Sequence, residues 1–156
     1  MSLAQQVIEA ARAAGVQIAT AESCTGGLLA AALTDIAGAS KVFDRGFITY
    51  SYAAKPEVLG VSPETVEAYG AVSAEVAAQM ASGALARSDA NITVAITGIA
   101  GPVADTDKPE GRVWFAVATP TDVETTMRDF GAIGRANVRA ASVKQALALL
   151  LGAIKR

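Results

Sequence analysis

Leu3, Val7, Ala11 and Ala14 recur at helical spacing, and Gly15 ends that face, which predicts a first helix. Val16 to Thr20 alternates as a short strand. After the small-residue segment TAESCTGG, Leu28, Leu29, Ala32, Leu33 and Ile36 make a second helical face that stops near Gly38. Val42 to Tyr50 reads as a second strand, packing through Phe43, Phe47 and Ile48. Ser62-Pro63-Glu64 is a helix start, with a serine cap, proline in the first turn and an acid favoured by the dipole. That helix is short, ending near Tyr69. Ser73 caps the next, with Val76, Met80, Ala84 and Leu85 on its buried side. Asn91 to Thr97 is an apolar, β-branched run suited to a central strand, and it empties into the turn TGIAGP. Val103 to Glu110 is polar and reads as a mobile loop. Gly111–Thr119 and Asp122–Phe130, separated by Pro120-Thr121, predict an antiparallel hairpin. A last helix starts at about Arg135, with Val143, Leu147, Leu150 and Ile154 along one stripe.

Helices alternating with strands, plus one hairpin, predict an α/β fold: a three-layer α/β/α sandwich around a mixed β-sheet. No internal repeat or linker divides the chain, so residues 1–156 are read as one domain. With 52% hydrophobic and 18% charged residues the composition is globular, and its many alanines favour close-packed helices. The net charge is −2 and no segment gathers Lys and Arg, which argues against nucleic acid or an anionic membrane as partner. The amphipathic N-terminus carries Glu9 and Arg12 and is no secretory signal, and the apolar run Ala146 to Ile154 is too short to span a bilayer. Cys24 is the one cysteine, which excludes an internal disulfide and fits a reducing cytoplasm. A cytoplasmic location is therefore expected.

The chain has no histidine. This removes the Ser-His-Asp triad and the Cys-His pair, and with one cysteine it leaves no ordinary zinc ligand set. The acids do not cluster in a metal-loop pattern, so neither a metal nor another cofactor is expected. Any general base must be Lys, Tyr, Asp or Glu.

In open α/β sheets, ligands bind beyond the carboxyl ends of strands, where the following helices present their N-termini. TAESCTGG and TGIAGP are the two turns of that kind. In the first, Ser23, Cys24 and Thr25 fall where helix N–H groups face a ligand, and Gly26 and Gly27 permit close backbone approach. Such a turn serves as an anion cradle, an oxyanion hole or a mount for a nucleophile. A serine before a helix is as readily an ordinary N-cap. Two glycines within the first turn tilt the balance, because each weakens a helix by roughly 1 kcal/mol. Cys24 is the rival nucleophile, ranked below Ser23 because no histidine activates it and an unpaired cysteine is commonly a small buried hydrophobe.

TAESCTGG, GFITYSYAAK (Gly46 to Lys55), GAVSAEVAAQMA (Gly70 to Ala81), ITGIAGP (Ile96 to Pro102) and KPEGRVWFA (Lys108 to Ala116) together resemble, in this order, the C-terminal domain family of the competence-damage-inducible protein CinA. The resemblance covers nearly the whole chain. Stand-alone members of that family look like nicotinamide mononucleotide amidohydrolases, which convert the nucleotide carboxamide to nicotinic acid mononucleotide and ammonia in pyridine-nucleotide recycling. Longer relatives carry a molybdopterin-binding-like N-terminal domain, whose activity is not expected here. The resemblance implies Ser23 as nucleophile with Tyr50 and Lys55 as catalytic partners, and Thr97 lining the same pocket. Arg135 and Arg139 fall where relatives have arginines at the start of the last helix. One departure is plain: relatives usually have a glycine-rich loop after GIAGP, where this chain reads Val103-Ala104-Asp105-Thr106-Asp107. A homo-oligomer is expected from family habit and the alanine-rich helical faces.

The implied mechanism requires a neutral lysine. A free lysine titrates near 10.4, so reaching about 7–8 means a shift of roughly three units, about 4 kcal/mol. Lys55, directly or through the Tyr50 hydroxyl, then takes the Ser23 proton, and N–H groups around Cys24 to Gly27 hold the oxyanion. Arg135 or the TGIAGP turn, with Gly98 and Gly101, are the candidates for the phosphate. Two other functions remain open: a nucleotide-binding module without turnover, and a hydrolase of a different carboxamide or nucleotide.

Overall fold

The computed structural model describes residues 1–102 and 107–156. In chain order its elements are α1 (Leu3–Ala14), β1 (Ile18–Glu22), α2 (Leu28–Thr34), β2 (Phe43–Ile48), α3 (Ala54–Leu59), α4 (Pro63–Tyr69), α5 (Ala74–Ala86), β3 (Ile92–Gly98), β4 (Arg112–Thr119), β5 (Asp122–Asp129) and α6 (Arg135–Ile154). Local chemistry explains most starts and stops. Ser2 and Gln5 form a reciprocal capping box at α1, and Gly15 closes that helix at φ 67°. The Ser62 and Ser73 hydroxyls cap α4 and α5 by accepting the Thr65 and Val76 N–H groups.

The sheet order is β2-β1-β3-β4-β5. β1 runs parallel to both β2 and β3, whereas β4 pairs antiparallel with β3 and with β5. The sheet is therefore mixed, as expected. On one face Ile18, Ile92, Val94, Ile96, Val113, Phe115 and Val117 pack beneath α1, α2 and α6. The other face carries small residues, Ala21, Ala95, Ala116 and Ala118, against Ala77, Met80, Ala81 and Ala84 of α5. Small against small lets α5 approach closely. It also lets the end of α3 close onto α5, where a Cβ on Gly83 would lie 2.0 Å from the Leu59 carbonyl oxygen. α3 is thereby carried over the carboxyl ends of the parallel strands.

Three expectations shift. β1 begins at Ile18 and runs to Glu22, and all five of its residues are buried rather than alternating. It lies inside the sheet with helices on both faces, so no side of it meets water. β2 stops at Ile48 rather than Tyr50. α3 was not legible: six residues interrupted by Pro56 give no periodicity to read. Half of the expected mobile loop, Val103 to Glu110, and four of the five residues that depart from the glycine-rich loop are residues 103–106, outside the described residues. Among the described residues no helix is long and apolar enough to cross a membrane.

Candidate active site

Strand pairing continues past the strand ends and delivers Ser23 to a defined place. The Ser23 N–H donates to the Ile96 carbonyl at 2.9 Å, and the Thr49 N–H donates to the Glu22 carbonyl at 2.9 Å. The carboxyl ends of three parallel strands therefore lie side by side, with Ser23 in the middle. The turn after it is held from below by Glu22, which is 1% exposed. Its Oε1 accepts from the Thr25 hydroxyl at 2.6 Å, the Leu29 N–H at 2.9 Å and the Gly27 N–H at 3.3 Å, while Oε2 accepts from Ala30 N–H at 3.0 Å. A carboxylate is well matched to these N–H groups at the start of α2.

This changes the role of the turn. Its helix N–H groups are not an open anion cradle, because a protein carboxylate occupies them. The Gly26 N–H is also taken, donating to the Ser23 carbonyl at 3.1 Å. Among the described residues, the Thr25 N–H has no partner and the Cys24 N–H has none beyond its own thiol. Gly26 and Gly27 adopt φ 57° and 106°, so they shape the turn conformationally. Thr25, Gly26 and Gly27 do not line the cavity, whereas Ser23 and Cys24 do.

Lys55, in the first turn of α3, is 1% exposed. Its Nζ lies 3.0 Å from Ser23 Oγ, and it donates to the Thr49 carbonyl at 2.8 Å. The Tyr50 and Ser51 carbonyls stand farther off, at 3.3 and 3.4 Å. Neutral acceptors surround the ammonium in place of a carboxylate, and burial lowers the Lys55 pKa from 10.5 to about 8. Burial acts oppositely on Cys24, pushing its thiol up to about 11 despite the smaller opposing effects of its own N–H and of Arg139. Cys24 is thus a protonated thiol beside Ser23.

Tyr50 approaches this pair through its backbone. Its carbonyl accepts from Ser23 Oγ at 3.4 Å, while its phenol accepts from Arg135 Nη2. A proton route through the Tyr50 hydroxyl is therefore not formed, and Lys55 reaches Ser23 directly. Arg135 also donates through Nη1 to the Gly101 carbonyl at 2.8 Å, joining the Tyr50 side of the site to the TGIAGP turn. Thr97 is buried, and its hydroxyl donates to the Ala71 carbonyl at 2.8 Å, fixing the wall between α4 and α5. Gly98 and Gly101 line the cavity; a Cβ on Gly98 would meet Val113 Cγ2 at 2.6 Å, so its neighbours demand glycine.

These groups surround a cavity of about 820 Å³, within the range of roughly 300–1,000 Å³ usual for small-molecule sites. Of the residues expected in the site, Ser23, Cys24, Tyr50, Lys55, Thr97, Gly98, Gly101 and Arg135 line it. Tyr52, Tyr69 and Lys108 line it too and were not foreseen. Lys108 Nζ donates to the Tyr69 carbonyl at 2.8 Å and also to the Val72 carbonyl. Glu22 was also missed, although an acid directly before Ser-Cys-Thr-Gly-Gly is the signal that such a turn has its own capping carboxylate. Among the described residues no group of three or more Cys, Asp or Glu is placed to hold a metal ion.

The family model of the CinA C-terminal domain matches residues 1–154. The chain belongs to the CinA C-terminal domain family. A CinA-family relative in Escherichia coli K12, the nicotinamide-nucleotide amidohydrolase PncC, is 46% identical over 151 residues, covering 96% of this chain and 92% of that protein. A putative competence-damage inducible protein of Caldicellulosiruptor saccharolyticus is 48% identical over 150 residues, or 96% of this chain, which spans only 36% of that longer relative. Among solved CinA-family structures, the competence/damage inducible protein CihA from Agrobacterium tumefaciens superposes with a TM-score of 0.94 at 48% identity, covering 99% of this chain and 94% of that one. The competence damage-inducible protein A (ComA) from Klebsiella pneumoniae gives 0.93 at 42% identity, covering 96% and 93%.

Proposed function

We propose that this chain hydrolyses the carboxamide of nicotinamide mononucleotide to nicotinic acid mononucleotide and ammonia, a step of pyridine-nucleotide recycling. Ser23 is the nucleophile and Lys55 its base. The observation that carries this reading is the 3.0 Å approach of the buried Lys55 Nζ to Ser23 Oγ at the cavity wall. The substrate follows from the name of the E. coli relative that this chain matches over nearly its whole length.

A neutral Lys55 keeps two N–H bonds for the Thr49 and Tyr50 carbonyls and turns its lone pair to the Ser23 hydroxyl. As the Ser23 oxygen bonds to the carboxamide carbon, its proton passes to Lys55. The Cys24 and Thr25 N–H groups receive the oxyanion. Collapse of the tetrahedral species breaks the C–N bond, and the leaving amine takes the proton from Lys55 and departs as ammonia. Water then attacks the Ser23 ester, giving a proton to Lys55. Breakdown returns that proton to the Ser23 oxygen and frees the carboxylic acid. Arg135, reaching the cavity from the start of α6, is the cation offered to the nucleotide phosphate.

The test is ammonia release from nicotinamide mononucleotide by the purified protein in the presence of EDTA. Turnover in the wild type, lost in both Ser23→Ala and Lys55→Ala, is the expected result. Binding of the nucleotide without ammonia would leave a nucleotide-binding module, and loss of turnover on chelation would overturn the metal-free mechanism.

A further inference from the structure

Arg139 projects from α6 to the nucleophile turn, which lies more than a hundred residues earlier in the chain. Its Nε donates to the Cys24 carbonyl at 3.0 Å and its Nη2 to the Thr25 carbonyl at 3.3 Å. Among the described residues no carboxylate is bonded to this guanidinium, and its two bonds go to backbone carbonyls. In a trans peptide the C=O of one residue and the N–H of the next point in opposite directions. Holding the Cys24 carbonyl therefore aims the Thr25 N–H away from α6. Holding the Thr25 carbonyl aims the Gly26 N–H likewise, and that group donates to the Ser23 carbonyl at 3.1 Å. The Ser23 carbonyl, so fixed, in turn sets the direction of the Cys24 N–H.

We propose that Arg139 is a positioning residue: its two-pronged grip on the Cys24 and Thr25 carbonyls aims the neighbouring N–H groups at the oxyanion formed when Ser23 attacks. The inference rests on the reading of Ser23 as nucleophile. Glu22 holds the N–H groups of the same turn, so the turn is gripped through its donors by an anion and through its carbonyls by a cation. The division of labour differs. Glu22 binds chiefly the start of α2, whereas Arg139 binds the peptide that carries the Thr25 N–H and the next one, whose Gly26 N–H fixes the Ser23 carbonyl and through it the Cys24 N–H.

The test compares wild type, Arg139→Met, Arg139→Lys and Arg139→Ala by two readouts, with melting temperature measured alongside. The first is kcat and KM for ammonia release from nicotinamide mononucleotide. The second is the rate at which a fluorophosphonate labels Ser23, followed by intact mass, since its P=O oxygen needs the same donors whatever the natural substrate. We expect Arg139→Met to lower kcat about 10- to 100-fold with KM within about threefold, and to slow labelling comparably. Arg139→Lys, which offers a point charge in place of a fork, should fall between. Guanidinium at millimolar concentration should restore part of the Arg139→Ala rate. Unchanged kcat and labelling per folded molecule, with a lower melting temperature only, would overturn the inference and leave a structural clamp. Labelling that depends on Arg139 in a protein inactive on the mononucleotide would keep the inference and discard that substrate. A wild type that is not labelled at Ser23 would overturn both.

Discussion

Lys55 Nζ and Ser23 Oγ lie 3.0 Å apart although 32 residues separate them. Parallel pairing of β1 with β2 sets the Ser23 turn beside the Thr49 and Tyr50 carbonyls, and α3, packed on α5, drops Lys55 between them. In the proposed mechanism Lys55 takes the Ser23 proton, which a permanent cation cannot do. Lys55→Arg keeps the charge yet cannot deprotonate at working pH. Both Lys55→Arg and Lys55→Ala should lose about 10²- to 10⁴-fold in kcat. Steady-state ammonia release decides the point; Lys55→Arg retaining a tenth of wild-type activity would show that charge, not basicity, is what the site uses.

The lowered Lys55 pKa of about 8 has a direct kinetic signature. In the proposed mechanism only the neutral amine accepts the Ser23 proton, so activity should rise with pH. At pH 7 roughly a tenth of the enzyme carries neutral Lys55, by the titration law for a pKa near 8. The plot of log kcat/KM against pH should climb with unit slope below about pH 8 and level off above it. A flat profile between pH 6 and 9 would mean that no group of this kind limits attack.

The same shift links to stability, with a definite sign. Burial lowers the folded pKa to about 8 from 10.5, so between those values the unfolded chain holds a proton that the folded chain has released. Stability from this group therefore rises as pH climbs from about 8 to 10.5 and is lowest, and constant, below that window. The full span is of order 3 kcal/mol, from about 1.4 kcal/mol per unit. Lys55→Met should abolish this component, and at pH 7 it should be no less stable than wild type. Urea titrations of both proteins at pH 7, 8.5 and 10 give the comparison.

Much of this arrangement was legible in the sequence. Apolar periodicity placed most of the helices, because each exposes one face, and the Pro120-Thr121 break placed the hairpin. β1 was misplaced by two residues because it exposes neither face, and fully buried strands carry no alternation to read. α3 escaped because it is held by tertiary packing rather than by a pattern of its own. The site divided in the same way. Ser23 was marked by the small residues around it, and Lys55 by family resemblance, whereas its burial depends on four backbone carbonyl and hydroxyl partners that no spacing encodes. The glycines of the first turn were read as room for a ligand. They prove to set backbone direction, because Glu22 already fills the space in front of the α2 N–H groups.

That carboxylate leads to the last prediction. Glu22 accepts three donors on Oε1 and one on Oε2, and all four come from the turn and the start of α2. Glu22→Gln preserves the shape but must put an NH2 group in place of one oxygen. With the amide oxygen turned to Thr25, Gly27 and Leu29, the NH2 faces the Ala30 N–H, donor against donor; turned the other way, three donors lose their acceptor. The charge-assisted bonds at the helix start weaken as well. An unsatisfied buried group costs about 1–3 kcal/mol, so the substitution should destabilise the protein by about 2–4 kcal/mol. Ser23→Ala, which removes a hydroxyl bonded to Lys55 but touches none of these N–H groups, should cost less. Chemical denaturation of the two variants at pH 7 measures the difference. Equal midpoints would mean that the turn carrying Ser23 does not depend on Glu22 for its shape.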